Sequence, residues 1–340
     1  MLPNHVSVLG AGSWGTALAV LLAHNISRIT LWGRDPNQIN DICKNAENQK
    51  YLPEVPLPEN LHATSDIADT VDDSLCFLIA VPSKAYRETL ELLKKAILAS
   101  DKNPENSTII WATKGFDPDD GKLLSQVTEE VFGTFDNQGV ISGPSFARET
   151  AVSLPTALTL ACRSEEVAQS LSSWFRTEST RVYFSDDPVG VQLGGAVKNV
   201  MAIAAGISDG LGFGANARTA LITRGLSEMR RLGMKLGGRS ETFMGLTGVG
   251  DLILTCTDNQ SRNRRFGIGL GEGESSNQIA LKIGQEIEGI NTVHELFGIS
   301  QRYQIDMPIT EQVYHIIYDN ADPAEAVQRL LRRDPKAESV

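Results

Sequence analysis

The chain has 340 residues, which is enough for two domains of ordinary size. Hydrophobic residues make up 41% of it and charged residues 21%, which excludes a disordered or collagen-like protein. Thirty-one Lys and Arg against 42 Asp and Glu give a net charge of −11, so nucleic acid is not expected as the main partner. A small anionic ligand is still compatible with this charge, because it needs only a local basic pocket.

The cysteines, the histidines and the N-terminus together favour the cytoplasm. Neither the four cysteines nor the five histidines have metal-ligand spacing, so we expect no metal site and no disulfide framework. We instead expect buried free thiols at Cys43, Cys76, Cys162 and Cys256. The N-terminus has no signal-peptide pattern, and no apolar run is long enough to span a bilayer. We therefore predict a cytoplasmic protein without membrane insertion.

The first half of the chain alternates β-rich runs with helical stretches, which predicts a Rossmann-type doubly wound sheet over residues 1–188. Predicted strands cover residues 6–9, 29–32, 75–81, 108–112, 140–142, 157–161 and 182–184. Predicted helices cover residues 16–23, 85–98 and 166–175.

Beyond Asp186-Asp187-Pro188 the pattern favours helices only, so we predict an all-α domain over residues 189–332. Its predicted helices cover residues 189–206, 216–232, 277–283, 292–303 and 309–318. Asn216 is the expected N-cap of the second of these helices. The polar residues 333–340 are expected to form a frayed tail.

The sequence Gly10-Ala11-Gly12-Ser13-Trp14-Gly15 matches the pattern G-x-G-x-x-G between a predicted strand and a predicted helix. In dinucleotide-binding folds Gly10 would permit the tight turn, Gly12 the approach of a pyrophosphate, and Gly15 the close packing of the helix. A glycine-rich turn without a ligand is the alternative, and the flanking elements argue against it.

Arg34 follows the second predicted strand and could pair with the 2′-phosphate of NADP. The neighbouring Asp35 is of the type that binds the ribose of NAD instead. We therefore expect NADP(H) or NAD(H), with a preference for NADP(H). An ordinary exposed Arg–Asp pair is the alternative.

Charged residues in apolar or glycine-rich surroundings indicate the chemistry. Lys114 follows a strand, where a cation could meet an anionic substrate; the alternative is a solvated lysine. Lys198 stands inside an apolar helical stretch, where burial would lower its pKa and suit it to proton transfer, unless it extends to solvent. Asp251, in a glycine-rich apolar segment, could partner Lys198 or cap a helix.

Three arginines lie within four residues, at Arg262, Arg264 and Arg265. Together with Ser261 and Asn263 they could bind a phosphate, because guanidinium groups bind phosphate bidentately. The alternative is a basic helix end.

Taken together, these motifs resemble the bacterial, soluble, NAD(P)-dependent glycerol-3-phosphate dehydrogenases over nearly the whole chain. The matching segments are GAGSWGTALA (10–19), ATKG (112–115), SGPSFA (142–147), VKNV (197–200), GVGDL (248–252), TCT (255–257) and SRN (261–263). The resemblance implies reduction of dihydroxyacetone phosphate to sn-glycerol 3-phosphate, which would supply glycerophospholipid synthesis.

The resemblance also implies roles for individual residues. Lys198 would donate or accept the proton, Lys114 would polarise the same region, and Asp251 would orient Lys198. The cofactor would contact Gly10, Gly12, Ser13, Trp14, Gly15, Arg34, Tyr51, Lys114, Ala147, Arg262, Glu286 and Glu288. The phosphorylated substrate would contact Lys114, Gly143, Ser145, Lys198, Asp251, Ser261, Arg262 and Asn263. Glu286 stands where the family often has an apolar residue.

Two other interpretations fit the same layout. One is a 3-hydroxyacyl or 6-phosphogluconate type dehydrogenase, although the His–Glu pair expected of the former is missing from a matching context. The other is a dinucleotide-binding sensor without catalysis, which would leave Lys198, Asp251 and Arg262 unexplained. Fold analogy favours a homodimer.

Overall fold

The computed structural model describes residues 2–333, which divide into two compact units. The first comprises the residues up to Thr113 together with Lys122–Pro188, and the second comprises Lys114–Gly121 and the residues from Val189 onward. The sequence predicts residues 114–121 as part of the first domain, but in the structure they belong to the second unit. Of the tail predicted at 333–340, only Arg333 lies among the described residues, where it forms an ion pair with Asp306.

An eight-stranded sheet forms the centre of the first unit, with the strand order β3-β2-β1-β4-β5-β6-β7-β8. The strands are β1 (His5–Leu9), β2 (Arg28–Trp32), β3 (Leu61–Thr64), β4 (Cys76–Ile79), β5 (Thr108–Trp111), β6 (Gln138–Ser142), β7 (Thr156–Cys162) and β8 (Thr180–Ser185). All neighbouring strands are parallel except β6 and β7. The Rossmann-type fold class predicted from the sequence is confirmed.

Six α-helices belong to the first unit, namely α1 (Ser13–Leu22), α2 (Pro36–Asn45), α3 (Tyr86–Ala99), α4 (Leu124–Phe132), α5 (Ala147–Ala151) and α6 (Glu165–Ser172). The central strands β1, β4 and β5 are almost entirely buried because helices cover the sheet. This burial explains the nearly unbroken apolar sequences of β4 and β5. On either side of β1 the chain order reverses, and ligands of such sheets bind at this switch point, beyond the carboxyl ends of the strands.

The segment Lys114–Gly121 of the second unit has no helix, and among the described residues the regular elements of this unit are all helices. Its helices are α7 (Pro188–Gly210), α8 (Gly214–Lys235), α9 (Ser240–Phe243), α10 (Asp251–Thr257), α11 (Arg262–Gly271), α12 (Ser276–Ile283), α13 (Glu288–Tyr303), α14 (Pro308–Tyr318) and α15 (Pro323–Leu331), with a π-helical segment at Leu246–Gly250. The N-cap predicted at Asn216 is wrong, because α8 begins directly after Phe213.

Helix α7 is the core of the second unit, with nearly all its residues buried. Among the described helices, only this one is long and apolar enough to cross a membrane. Its most apolar stretch is completely buried inside the protein, so its length and composition are weak evidence for a span.

The four cysteines are free, as expected, but they are not all buried. Cys162 and Cys256 are buried and Cys76 is half-buried. Cys43 lies on the outer face of α2 and is exposed, so the prediction of a buried thiol is wrong there.

Candidate active site

The glycine loop between β1 and α1 has the geometry that a pyrophosphate requires. Gly10 has φ +124°, and a Cβ there would lie 2.5 Å from the Ala80 carbonyl oxygen beyond β4. A Cβ on Gly15 would lie 1.9 Å from the Gly10 carbonyl oxygen, so only glycine lets α1 begin this close to the turn. At Gly12 a Cβ would meet no described atom within 4 Å, which leaves the backbone open to a ligand.

The first turn of α1 is left without a side-chain cap, because its N-cap residue is Gly12. Free N–H groups at a helix N-terminus, together with the helix dipole, attract a phosphate. The indole N–H of Trp14 is also buried without a hydrogen-bond partner among the described residues. The residues present therefore fit a dinucleotide.

Other predicted cofactor residues lie around this loop or at the ends of later strands. The hydroxyl of Ser13 donates to the Tyr51 carbonyl at 2.7 Å, which brings these two predicted residues together. Ala147 begins α5 and packs on the same apolar core as Trp14. Arg34 is exposed after β2 and its guanidinium lies 3.2 Å from the Glu88 carboxylate.

The sequence pattern missed two side chains that hold the glycine loop. The amide of the buried Asn48 donates to the Ala11 carbonyl at 3.0 Å and to the Thr16 hydroxyl at 2.8 Å. Gln38 donates to the same carbonyl at 2.6 Å. Both are far from the loop in the sequence and match no motif, so only the fold reveals them.

Gly143 and Ser145 follow β6 in the first unit. Gly143 has φ +144°, and a Cβ there would lie 2.9 Å from the Ala157 carbonyl oxygen on β7. The hydroxyl of Ser145 donates to the Gly143 carbonyl at 3.1 Å. The glycine turn thus places the short segment Gly143–Ser145 at the end of the strand.

In the second unit, the structure brings three of the predicted residues together in a buried cluster. The Asp251 carboxylate, which is completely buried, forms ion pairs with both Lys198 and Lys114. Its Oδ2 lies 2.9 Å from the Lys114 Nζ, and its Oδ1 accepts from the Lys198 Nζ. Neither lysine extends freely into solvent, since their side chains are only 14% and 7% exposed for Lys114 and Lys198.

The close approach of two chain segments builds this cluster. A Cβ on Gly194 of α7 would lie 2.3 Å from the carbonyl oxygen of Thr247, in the segment that leads into α10. Glycine therefore lets that segment lie against α7, one helical turn before Lys198. Asp251 is then the first residue of α10, and Gly250 rather than Asp251 is its N-cap.

The cluster holds two ammonium groups and one carboxylate out of water, and this imbalance decides its protonation. Burial, together with the charge of Lys114, lowers the pKa of Lys198 to about 7, although Asp251 opposes the shift. Burial also opposes the charge on Lys114, but the pairing with Asp251 outweighs it and raises its pKa. Burial would raise the pKa of Asp251, but the two lysines hold it below its ordinary value. Lys198 is thus the member that can exchange a proton near neutral pH.

Thr255 supports the cluster and carried no role in the sequence prediction. It lies one turn after Asp251 on α10, and its hydroxyl donates to the Asp251 carbonyl at 2.6 Å, with the Asp251 Oδ1 at 3.3 Å. The spacing of four residues on one helix could have indicated it.

The residues at the start of α11 differ in how firmly other side chains hold them. Ser261 caps the helix, with its hydroxyl accepting from the Arg264 N–H at 3.2 Å. Arg264 is buried and pairs with Asp209 at 2.5 Å, so it serves the fold. Arg262 is half-buried, and its nearest polar contact is the Gln285 amide oxygen at 3.4 Å. A helix N-terminus beside this guanidinium suits an anion.

The start of α13 connects these residues. The Asn263 side-chain oxygen accepts from the Gly289 N–H at 2.9 Å. The Glu288 carboxylate accepts from the amide of Asn199, the neighbour of Lys198, at 3.3 Å. The Glu286 carboxylate accepts from the Asn291 amide at 3.4 Å. Eight predicted residues therefore lie on segments that contact one another within the second unit, namely Lys114, Lys198, Asp251, Ser261, Arg262, Asn263, Glu286 and Glu288.

Known proteins match this chain from end to end. Residues 5–168 match the family described as NAD-dependent glycerol-3-phosphate dehydrogenase N-terminus, and residues 187–328 match its C-terminus. A relative from Thioalkalivibrio sulfidiphilus, named glycerol-3-phosphate dehydrogenase [NAD(P)+], is 51% identical over 98% of both chains. One from Pseudoalteromonas translucida with the same name is 49% identical, also over 98% of both.

Solved structures agree with these matches. The crystal structure of glycerol-3-phosphate dehydrogenase from Coxiella burnetii is 44% identical, with a TM-score of 0.92, and the alignment covers 97% of this chain and 99% of that one. The chain described here belongs to the NAD-dependent glycerol-3-phosphate dehydrogenase family of oxidoreductases, as its motifs predicted.

Proposed function

We propose that the chain reduces dihydroxyacetone phosphate to sn-glycerol 3-phosphate with NADPH or NADH, and thereby supplies glycerophospholipid synthesis. The observation that carries this proposal is the buried cluster in which Lys198 and Lys114 share the Asp251 carboxylate. This site is buried, has an excess positive charge and contains a lysine that titrates near neutral pH. Such a site suits the reduction of a ketone, because the ketone oxygen gains negative charge during the reaction. The names of the relatives support the substrate.

The first unit serves as the dinucleotide-binding domain in this proposal, and the second as the substrate-binding domain. The N–H groups of α1 and the open backbone at Gly12 bind the pyrophosphate, while Ser13, Trp14, Tyr51 and Ala147 line the cofactor. Arg34 contacts the 2′-phosphate of NADPH, which its exposed position permits. In the second unit, the resemblance assigns cofactor contacts to Glu286, Glu288 and Arg262.

When bound, the nicotinamide supplies the hydride that reduces the ketone carbon. Lys198 donates a proton from its Nζ to the ketone oxygen as the C–O double bond is reduced, which leaves Lys198 neutral until it regains a proton from solvent. Lys114 stays charged at Asp251 and stabilises the negative charge that develops on the same oxygen. Asp251 holds both ammonium groups in place.

The phosphate of the substrate binds at the N-terminus of α11. Arg262 and Asn263 lie at this terminus, and Ser261 still has a hydroxyl hydrogen to donate while its oxygen caps the helix. In the first unit, the resemblance assigns substrate contacts to Gly143 and Ser145. We also propose that the protein is cytoplasmic, which its free thiols support. We propose on fold analogy alone that the protein forms a homodimer.

The experiment that tests this function is an assay of the purified protein for the oxidation of NADPH and NADH. Dihydroxyacetone phosphate should support turnover with both, with the lower KM for NADPH. Dihydroxyacetone, which lacks only the phosphate, should be a very poor substrate, because it leaves Arg262 without its partner. Equal activity on the two ketones, or no activity on either, would refute the proposal.

A further inference from the structure

The guanidinium of Arg264 is buried in the second unit and contacts no ligand in the proposed function. Its Nε donates to the Cys256 carbonyl at 3.1 Å, one Nη donates to the Asn259 side chain, and the other donates to the Asp209 carboxylate at 2.5 Å. We propose that Arg264 is a positioning residue that fixes the connection between α10 and α11, and thereby the distance from the phosphate-binding end of α11 to the Lys198 ammonium. The inference rests on the proposed function, because this distance matters only if the substrate is a phosphorylated ketone.

Helix α10 is held to α7 at both of its ends. At its start, the Asp251 carboxylate pairs with Lys198 of α7. At its end, Arg264 bridges the Cys256 carbonyl to Asp209, which is also on α7. Asp209 follows Lys198 by about three helical turns, so the two side chains lie on the same face of α7. The proton donor and the anchor of α11 therefore belong to one rigid element.

The connection between α10 and α11 is a short polar turn. Asp258 is half-buried in it, and Asn259 and Gln260 are exposed. The Asp258 carboxylate accepts from the Gln260 N–H at 2.7 Å, and the Asp258 carbonyl accepts from the Ser261 N–H at 3.2 Å. These two bonds shape the turn, but both lie within it. The bond from Arg264 to the Asn259 side chain ties the turn to α11.

The side chain of Arg264 extends from a fixed point. A Cβ on Gly206 of α7 would lie 2.1 Å from the Arg264 carbonyl oxygen, so glycine lets the two helices pack in direct contact here. The guanidinium itself is planar, with its donors in fixed directions. It therefore transfers the position of α11 on α7 to the end of α10 and to the turn between the two helices.

Asp209 does not need Arg264 to neutralise its charge. Arg218 of α8 already donates from its Nη1 to both oxygens of the same carboxylate, at 2.9 Å each. The Arg264 side chain is only 9% exposed, and a buried ion pair is often no more stabilising than apolar side chains of similar volume. What the guanidinium supplies, and an apolar side chain cannot, is the set of three directed hydrogen bonds.

The test compares Arg264→Met and Arg264→Lys with Arg218→Met and the wild type. Methionine keeps an apolar stem and leaves Asp209 paired with Arg218, so the chain should fold. Lysine keeps the positive charge and can pair with Asp209, but its single ammonium group cannot span the Cys256 carbonyl and Asn259 as well. Arg218→Met is the matched control, because it removes the other arginine of Asp209 and leaves the connection untouched.

Three quantities are measured for each protein. The first is the turnover number and KM for dihydroxyacetone phosphate at saturating NADPH. The second is kcat/KM for dihydroxyacetone, which has no phosphate and whose reaction is therefore independent of the distance in question. The third is the hydrogen exchange of the backbone amides of residues 258–263 in the ligand-free protein, followed by mass spectrometry.

Both Arg264 variants should lose about 10- to 100-fold in the turnover of dihydroxyacetone phosphate, the order expected when a reacting group is displaced by about 1 Å. The KM should change less, because Arg262 still binds the phosphate. Activity on dihydroxyacetone should equal that of the wild type, because the cluster around Lys198 is intact. The amides of residues 258–263 should exchange faster, and Arg218→Met should have wild-type values throughout.

An equal loss of activity on both ketones would show general damage to the site and overturn the inference. A loss in Arg218→Met as large as that in Arg264→Met would assign the effect to the buried charge and overturn it too. Wild-type turnover in both Arg264 variants, or unchanged exchange at residues 258–263, would have the same consequence. Hydrogen exchange needs no substrate, so a wild-type protein inactive on both ketones would refute the proposed function, while the exchange would still decide whether Arg264 fixes the connection.

Discussion

The three arginines at the start of α11 have the same chemistry but different environments. Arg264 is buried and is held by Asp209, by the Cys256 carbonyl at 3.1 Å and by Asn259. Arg265 is exposed to solvent. Arg262 is half-buried and makes only a long contact with Gln285, so we propose that its guanidinium engages the substrate phosphate.

We expect Arg262→Ala to raise the KM for dihydroxyacetone phosphate by about 10- to 100-fold. This factor corresponds to the loss of a hydrogen bond to a charged group, which contributes about 1.5–3 kcal/mol. The affinity for NADPH should fall less, because most of the proposed cofactor contacts lie in the first unit. Steady-state kinetics with the substrate and cofactor varied separately measure both effects. Arg265→Ala is the matched control, and a similar KM change in that variant would assign the effect to net charge rather than to binding.

Sequence reasoning at this scale found the residues that stand out from their surroundings. Lys198 and Asp251 are charges in apolar stretches, and the structure pairs them as expected. Asn48 could not be found in the same way. It acts through the backbone of Ala11, a residue distant in sequence, and that contact exists only in the fold.

At the scale of elements, periodicity predicted the long apolar helices and strands. The missed elements are short or polar. Strand β3, with the sequence LHAT, has no apolar run, and α10 begins in a glycine-rich segment where no helix is favoured. Helix α11 has arginines and glycines instead of an apolar stripe. Its glycines allow close packing on α7. A Cβ on Gly267, for example, would lie 2.1 Å from the Ile203 carbonyl oxygen.

Helices α8 and α14 are joined by one buried carboxylate. Glu228 on α8 accepts from the Ile309 N–H at 2.6 Å, from the Thr310 N–H at 3.2 Å and from the Thr310 hydroxyl at 2.9 Å. These bonds replace a side-chain cap, because Met307 at the N-cap of α14 supplies none. Burial raises the pKa of Glu228 to about 7 in spite of these donors.

We expect the stability contributed by Glu228 to fall as the pH rises from about 5 to about 8. Between the ordinary pKa of a glutamate and the raised value, the folded state binds more protons than the unfolded state, so the free energy of unfolding decreases with pH. Urea denaturation across this range measures the unfolding free energies of the wild type and of Glu228→Gln. As the pH rises, the wild type should therefore lose stability relative to the glutamine variant. The exposed Glu272 of the same unit, compared with Glu272→Gln, serves as control. A difference that stays constant with pH would contradict the shifted pKa.

At the scale of the whole molecule, the acidic net charge excludes a general affinity for phosphates. It is compatible with a local positive site. The cluster of Lys114, Lys198 and Asp251 is such a site, and its charges come from three separate chain segments of the second unit. The resemblance of motifs over nearly the whole chain predicted the family correctly. The assignment of residues 114–121 to the second unit was not predictable, because their sequence simply continues from β5.

The most direct test of this account is the turnover of Lys198→Met, a variant that removes the ammonium group while keeping an apolar stem inside α7. Asp251 retains Lys114 as a partner, so the variant should fold. Turnover should fall by about 10²- to 10⁴-fold, the range for loss of a general acid. NADPH binding and the melting temperature should stay near the wild-type values. Lys282→Met, which changes an exposed lysine, should be fully active. A folded Lys198→Met protein that binds NADPH and keeps near-normal turnover would contradict the account and leave Lys114 as the remaining proton donor.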